Sequence, residues 1–318
     1  MMPPAIRHLH TQSIGRAAST TLSVELQAAV TGNTSRGIFL LTPASRVIFI
    51  SFEKYRGPLT ITLAERSSEN SAFDPGSNDL SRYYLAFPLR SIQMGSPARL
   101  TPCQIAFVDA DITIAVDVDT VWQPGPPPDP IRSHHDQLQT LKYVAREVVL
   151  TKGAVGFSDL LPPLLGESAT VPATSDVLSS VLRLRESLRN GEWAEAAETM
   201  SRLLGLGRGL TPSGDDLILG LLLALNRVET PRWGVSAGIE MLNRLVIEQA
   251  CKKTTALSAN LIECAANGEA DERLIAAVDG ILTGQPDPSE CVRPLSDWGA
   301  SSGVDALVGM ATALTLAH

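Results

Sequence analysis

Short apolar runs between residues 37 and 118 predict β-strands. They are rich in β-branched and aromatic residues, and glycine, proline, asparagine and serine separate them. Such runs fit a pleated, half-buried sheet. They lie at 37–41, 47–52, 59–63, 83–89, 104–108 and 112–118. Asp109-Ala-Asp111 lies between the last two and is typical of a hairpin turn. This spacing predicts a β-sandwich or a barrel-like sheet.

Beyond residue 130 the apolar residues recur every three or four positions, which predicts amphipathic helices. Leu138, Leu141, Val144 and Val148 form the first such stripe, and Gly153 ends it. Further helices are predicted over about 176–188, 193–203, 213–228, 235–251, 255–267, 271–282 and 302–316.

The continuous apolar run Leu217 to Leu225 is the most hydrophobic part of the chain. Nine residues are less than half of what a membrane-spanning helix needs. We therefore predict that it is the central buried helix of the helical part, with Gly220 and Ala224 allowing neighbouring helices to approach closely.

The proline run at 124–130 predicts a domain boundary. Proline donates no backbone hydrogen bond and favours extended backbone, so neither a helix nor a sheet continues through it. The sequence thus predicts an α+β protein: a β-rich domain at 1–123, a linker at 124–130 and an all-helical domain at 131–318.

Composition and charge narrow the class of partner. Apolar residues make up 44% of the 318, too many for a disordered chain. The net charge of −8 argues against nucleic acid and anionic membrane surfaces as partners. The four cysteines form no C-x-x-C pair, which indicates reduced thiols, and no secretory signal precedes Leu22. We expect a cytoplasmic protein.

The candidate site is the helix start Gly205-Leu-Gly-Arg-Gly-Leu-Thr-Pro-Ser-Gly-Asp-Asp216. Glycines flank Arg208, and Gly214 lets a ligand approach the backbone. The unpaired N–H groups and the positive dipole end of a helix start attract anions. Asp215 and Asp216 oppose a bare anion, but they suit a ligand amide, a hydroxyl or a Mg²⁺ ion accompanying a phosphate. Arg208 can bind the carboxylate or phosphate end.

Helix capping is the alternative explanation of the same residues. Ser213 with Asp216 three positions later is an acidic form of the capping box, and Ser302 with Asp305 repeats it. Thr211 as the cap, with Pro212 in the first helical position, is a second possibility. Capping explains one serine and one aspartate but not the surrounding glycines and arginine, so both interpretations stay open.

Other motifs lack the context that their chemistry needs. The glycines at 205–209 follow a helix, whereas a dinucleotide loop follows a strand. Gly299-Ala-Ser-Ser-Gly303 fits the hydrolase G-x-S-x-G pattern, but no strand precedes it and too little chain follows. His134-His135 and His8-x-His10 lack partners at metal-ligand spacing. No catalytic residue and no metal site is assigned, and the one cofactor considered is Mg²⁺ at Asp215 and Asp216.

A repeat links the candidate site to the end of the chain. Residues 213–225 and 302–314 both read S-G-x-D-x-x-x-G-x-x-x-A-L. The match fits either an old duplication or two helices that solve the same packing problem. A further candidate for anion binding is Lys252-Lys253-Thr254-Thr255, where one predicted helix ends and the next begins.

The string Gly209-Leu-Thr-Pro-Ser-Gly-Asp-Asp216 followed by Gly220 resembles the signature of the AllH-like family, long listed as a domain of unknown function. The resemblance extends to Thr254-Thr255-x-x-Ser258 and Ser302-Gly-x-Asp305, and to a β-rich N-terminal half closing near Trp122-x-Pro124. It thus covers most of the chain.

This resemblance implies a subunit of oxamate carbamoyltransferase. That enzyme interconverts oxalurate plus phosphate with oxamate plus carbamoyl phosphate in anaerobic allantoin breakdown. It works with two other proteins, one of them similar to acyl-CoA synthetases. The alternative hypothesis is a non-catalytic protein that binds a metabolite or holds a partner enzyme. The predicted substrate-binding residues are Arg208, Gly209, Thr211, Ser213, Gly214, Asp215, Asp216, Thr254, Thr255, Ser302 and Asp305.

Overall fold

The computed structural model describes residues 7–64, 87–167, 176–228 and 236–316. The chain divides into two compact units, one ending at Gln123 and the other beginning at Pro124. The first is built mainly of strands and the second of helices, which confirms the predicted α+β class. Residues 124–130 lie outside helices and strands. Independent folding of the two units stays a prediction.

The strands of the first unit form a closed sheet. They are β1 (Arg7–Gly15), β2 (Leu26–Asn33), β3 (Gly37–Leu41), β4 (Val47–Ser51), β5 (Thr60–Leu63), β6 (Pro97–Thr101), β7 (Gln104–Phe107), β8 (Ile112–Ala115) and β9 (Val121–Trp122). The order is β5-β4-β3-β2-β6-β7-β8-β1-β9, and β1 also pairs with β5. This additional pairing closes eight strands into a barrel, which selects the barrel over the sandwich. The short β9 adds beside β1.

Alternating side chains fill the barrel core. In β8, Ile112 and Ile114 are buried while Ala115 is exposed, as expected of a strand with one face toward a core. Between β3 and β4, Phe39 stacks on Phe49 with ring centroids 4.5 Å apart. Among its described residues the unit also contains two short α-helices, α1 (Arg16–Leu22) and α2 (Phe87–Arg90).

The strand predicted at 83–89 is wrong where the structure describes it, because residues 87–89 belong to α2. Proline in the first turn explains the difference: Pro88 donates no hydrogen bond to a sheet, and its fixed φ suits a helix start. Residues 83–86 lie outside the described residues. The predicted turn is confirmed, since Asp111 adopts a left-handed conformation between β7 and β8.

The second unit contains ten α-helices and a 3-10 helix at Ser158–Leu160 within the described residues. The α-helices are α3 (His134–Lys152), α4 (Leu161–Leu164), α5 (Asp176–Arg189), α6 (Trp193–Leu203), α7 (Ser213–Val228), α8 (Ser236–Lys253), α9 (Ala256–Ala265), α10 (Glu272–Thr283), α11 (Pro288–Ser296) and α12 (Ser302–Leu314). Every helix predicted from apolar periodicity is present. The sequence patterns missed α4 and α11, which are short and contain internal prolines.

Helix α7 lies at the centre of the helical core. Every side chain from Leu217 to Ala224 is buried, as the apolar run predicts. α12 is equally buried from Gly303 to Leu314. In the described part of the chain, no helix combines the length and apolar character that crossing a membrane requires.

Candidate functional site

The two copies of the repeat, α7 and α12, pack directly against each other. A Cβ atom added to Gly220 would lie 1.9 Å from the carbonyl oxygen of Ala306, and one added to Gly309 would lie 1.9 Å from that of Leu217. Gly220 and Gly309 occupy the same position of the repeat, as do Leu217 and Ala306. The contacts are therefore reciprocal, and the two helices form a parallel pair with local pseudo-two-fold symmetry.

This packing brings the two helix starts together at one end of the pair. The Thr211 hydroxyl oxygen, just before α7, lies 3.3 Å from the hydroxyl oxygen of Ser302, the first residue of α12. The turns before the helices are also alike. Gly214 donates its N–H to the carbonyl of Leu206, and Gly303 donates to the carbonyl of Trp298. Two positive helix ends thus point to the same region.

Neither Ser213 nor Ser302 acts as the N-cap of its helix, contrary to the capping interpretation. Ser302 is the first helical residue of α12, and its N-cap, Ser301, makes no side-chain cap hydrogen bond. Ser213 is likewise the first residue of α7. Within the described residues its hydroxyl caps no first-turn N–H, and the N–H of Asp216 binds the Pro212 carbonyl. Capping therefore does not account for these serines.

Asp215 joins the glycine-rich loop to a third helix start. Its side chain is 1% exposed, and its carboxylate accepts hydrogen bonds from the N–H of Gly205 at 2.7 Å and from the hydroxyl of Thr254. Next along the chain, Thr255 caps α9 through Ser258 N–H and donates to the Leu210 carbonyl at 2.9 Å. Of the two threonines predicted for the site, Thr254 thus contacts the first turn of α7 and Thr255 contacts the loop before it.

Asp216 and Asp305 occupy the same position of the repeat and are both buried, at 1% and 0% exposure. Asp216 accepts a hydrogen bond from the Thr211 hydroxyl at 3.1 Å. Oδ1 of Asp305 accepts from the N–H of Phe157 at 2.7 Å. Its Oδ2 is buried and has no hydrogen-bond partner among the described residues, an unusual state for a native protein.

Burial raises the pKa of both carboxyl groups. For Asp216 the pKa lies well above its ordinary value because of burial, and the charges of Asp305 and Asp215 add to the rise; the hydroxyls of Ser302 and Thr211 oppose it. For Asp305 burial also dominates, and the Phe157 N–H and the hydroxyls of Ser301 and Ser213 oppose it. Each aspartate of the pair therefore faces the first serine of the other helix.

The loop before α7 carries the predicted cation. Gly205, Gly207 and Gly209 all adopt positive φ values, which side chains rarely tolerate. Arg208 lies between them and is exposed. Across the ranges that the structure describes, its guanidinium makes no hydrogen bond or ion pair. It is therefore available to an anionic ligand.

The residue set does not favour Mg²⁺ at Asp215 and Asp216. Both oxygens of Asp215 already accept hydrogen bonds from Gly205 and Thr254. No group of three or more histidine, cysteine or acidic side chains suited to a metal ion occurs among the described residues. Two positive helix ends also disfavour a cation at this position. We derive no step through a metal ion.

The structure also adds a segment that the sequence patterns missed. Gly156 adopts a positive φ, and a Cβ atom there would lie 2.2 Å from Oδ1 of Asp305. Together with the Phe157 N–H, this places the chain after α3 against the start of α12. The sequence carries a signal for the turn, the glycines at 153 and 156, but none for the helix that the turn meets.

We expect Asp215→Ala to destabilise the protein by about 2–4 kcal/mol, because the substitution removes a buried carboxylate that accepts hydrogen bonds from Gly205 N–H and from the Thr254 hydroxyl. Asp215→Asn should cost less, since it keeps one acceptor. Urea unfolding measures both, and hydrogen exchange should rise in the loop at 205–210. Glu240→Ala, at an exposed position of α8, is the control. Equal stability of Asp215→Ala and wild type would show that these bonds contribute nothing.

Comparison with known proteins supports the resemblance that the motif indicated. The family model described as oxamate carbamoyltransferase subunit AllH matches residues 203–314. The match begins at the end of α6 and ends with α12, so it contains both copies of the repeat and α9. It covers roughly a third of the chain, and the predicted resemblance is confirmed over that segment. No solved structure matches the chain.

Proposed function

We propose that this chain is a subunit of an oxamate carbamoyltransferase-like enzyme and binds its small anionic substrate where α7 and α12 begin. The observation that carries the proposal is the meeting of these two helix starts inside the segment that matches the AllH family model. The reaction interconverts oxalurate plus phosphate with oxamate plus carbamoyl phosphate, as part of allantoin breakdown.

The polar groups at the two helix starts suit a ligand that has an anionic end and an amide. The positive helix ends and Arg208 attract a carboxylate or phosphate. The hydroxyls of Thr211 and Ser302 donate hydrogen bonds or accept them. Asp216 and Asp305 supply acceptor oxygens for amide N–H groups, which explains how two aspartates can serve a site for an anion.

Carbamoyl transfer from oxalurate breaks the bond between the carbamoyl carbon and the oxamate nitrogen. A phosphate oxygen forms the new bond to that carbon, and the departing nitrogen takes up a proton. The protein has to align the two reactants and stabilise the negative charge that develops on the carbamoyl oxygen. Fixed helix dipoles and hydroxyl donors provide that kind of stabilisation, so no protein nucleophile is required.

We expect Thr211→Val and Ser302→Ala each to weaken binding of oxamate and phosphate by about tenfold or more, since each removes a hydroxyl that can bond to a charged ligand. Isothermal titration calorimetry measures the affinities. Thr20→Val, at an exposed position in the first unit, should leave them unchanged. Full affinity in both site variants would contradict this location of the site.

Activity assays separate the enzyme hypothesis from the alternative of a metabolite-binding or scaffolding protein. The purified chain is assayed for phosphate-dependent cleavage of oxalurate, alone and then with the other subunits of the carbamoyltransferase. Activity that appears only in the mixture supports a subunit role. Anion binding without activity in any mixture would support the alternative.

A further inference from the structure

Two hydrogen bonds connect the end of α3 and the segment after it with the start of α12. The ammonium group of Lys152, the last residue of α3, donates a hydrogen bond to the carbonyl of Gly299 at 3.1 Å. Five residues later, Phe157 donates its N–H to Asp305 at 2.7 Å. Lys152 belongs to none of the motifs identified in the sequence, and it lies outside the segment that matches the family model.

Gly299, whose carbonyl accepts the hydrogen bond from Lys152, lies close to the site. It belongs to the turn that leads into α12, and a Cβ atom added to it would lie 2.4 Å from the hydroxyl oxygen of Ser302. The Lys152 ammonium group therefore lies on the turn that carries Ser302. It has three N–H donors, and the Gly299 carbonyl takes one of them.

The ammonium group of Lys152 has no ion-pair partner in the described part of the chain. As the last residue of α3, Lys152 is stabilised by the negative end of that helix, while its ammonium group reaches the turn at the positive end of α12. Neither Asp216 nor Asp305 is bonded to a basic side chain among the described residues. The ammonium group is therefore held beside the start of α12 and is available to a negatively charged ligand.

An independent observation also indicates that the site is completed by a ligand. Oδ2 of Asp305 is buried and has no hydrogen-bond partner in the ranges that the structure describes, and its carboxyl group faces Ser213 at the start of α7. An acceptor in this position is satisfied by a ligand N–H or O–H. The site therefore has an unused acceptor and an unpaired cation at neighbouring points of α12.

The other basic side chains nearby are less suited to this role. Lys253 already binds the carbonyl and the hydroxyl of Ser201, at 3.2 and 2.6 Å. Arg208 lies on an exposed glycine-rich loop and makes no hydrogen bond or ion pair within the described ranges. Lys152, in contrast, is held in place beside the start of α12 by its hydrogen bond to Gly299.

We infer that Lys152 binds the anionic group, phosphate or carboxylate, of the small ligand at the starts of α7 and α12. Its bond to Gly299 fixes the ammonium group, and the two remaining donors bind the ligand oxygens. Arg208 approaches from the loop before α7, so that each helix start has its own cation. This inference rests on the proposed function for the location of the site.

The test compares Lys152→Met, which removes the charge, with Lys152→Arg, which keeps it. Calorimetric titration with inorganic phosphate and with oxamate should show affinity lower by on the order of tenfold or more for Lys152→Met. Lys152→Arg should recover much of the loss. Arg146→Met, which removes an exposed charge from the same helix, should bind as wild type does.

Each outcome has one meaning. Unchanged affinity in Lys152→Met, while the wild-type protein binds either anion, overturns the role of Lys152 and leaves the proposed function standing. Absence of binding by the wild-type protein overturns both. A lower melting temperature in Lys152→Met with unchanged affinity assigns Lys152 to holding the turn at Gly299 and likewise overturns the inference.

Discussion

Gly309→Ala should destabilise the protein by about 3 kcal/mol or more and reduce its soluble yield. The new methyl group would lie 1.9 Å from the Leu217 carbonyl oxygen and 2.6 Å from the Leu221 nitrogen. Both are backbone atoms of a buried helix, so no side-chain rotation relieves the overlap, and α7 and α12 must separate. Overpacking of this kind outweighs the roughly 1 kcal/mol by which alanine favours a helix over glycine.

The pseudo-symmetry of the pair provides an internal comparison. Gly220→Ala meets the Ala306 carbonyl at the same distance, so it should cost a similar amount. Gly125→Ala has no atom within 4 Å of the added group and serves as the control. Chemical denaturation of the three variants measures the free energies of unfolding. Wild-type stability for Gly309→Ala would mean that the two helices are farther apart than described.

Asp216→Asn combined with Asp305→Asn should change how stability depends on pH. Burial raises the folded-state pKa of both carboxyl groups, whereas the unfolded chain titrates near 4. Between these values the native state binds more protons than the unfolded state, so wild-type stability falls as the pH rises. The double variant lacks this fall, and its stability relative to wild type should therefore improve with increasing pH.

The expected change is about 1.4 kcal/mol per pH unit for each carboxyl group that is protonated in the native state alone. Urea unfolding at pH 4, 6 and 8 gives the two curves. Asp287→Asn is the control, because the Ser289 hydroxyl and N–H lower the pKa of Asp287. The contribution of Asp287 to stability changes only below about pH 4, so the curve of this variant should run parallel to that of wild type between pH 4 and 8. Parallel curves for wild type and the double variant would contradict the raised pKa values.

The second prediction also bears on ligand binding. A carboxyl group that is protonated before the ligand arrives donates a hydrogen bond, and one that is ionised accepts. Asp216 accepts a hydrogen bond from the Thr211 hydroxyl, and the described part of the chain provides no hydrogen-bond partner for Oδ2 of Asp305. The pH curves therefore indicate whether the carboxyl groups of Asp216 and Asp305 are protonated in the free protein. A protonated carboxyl group can donate a hydrogen bond to an anion, and an ionised one can accept a hydrogen bond from an amide N–H.

Much of the secondary structure follows from local patterns in the sequence. The run 37–41 forms β3 and the run 213–228 forms α7 with the predicted limits, because each pattern reflects the face that its element buries. The run of apolar and aromatic residues at 83–89 predicts a strand, but residues 87–89 lie in α2. Pro88 favours a helix start over a strand, and the pattern of apolar residues does not include this backbone effect.

The candidate site divides in a similar way. The motif at 209–216 identified the residues that form one helix start, and the repeat identified a second helix start at 302–305. That the two repeats touch was not predictable, because two similar helices can lie anywhere in a bundle. The roles of the carboxylates were also undetermined: Asp215 is bonded to Gly205 and Thr254, and Asp216 to Thr211.

The sequence by itself determined the division into a β-rich and a helical part, the buried character of 217–224, and the helix start at 213. Each depends on residues close together in the chain. Only the tertiary structure decided that the sheet closes through β1 and β5, that Gly220 and Gly309 bring two helix starts side by side, and that Lys152 and Phe157 meet the second of them. These contacts join residues far apart in the chain, and their energies depend on packing that no local pattern encodes.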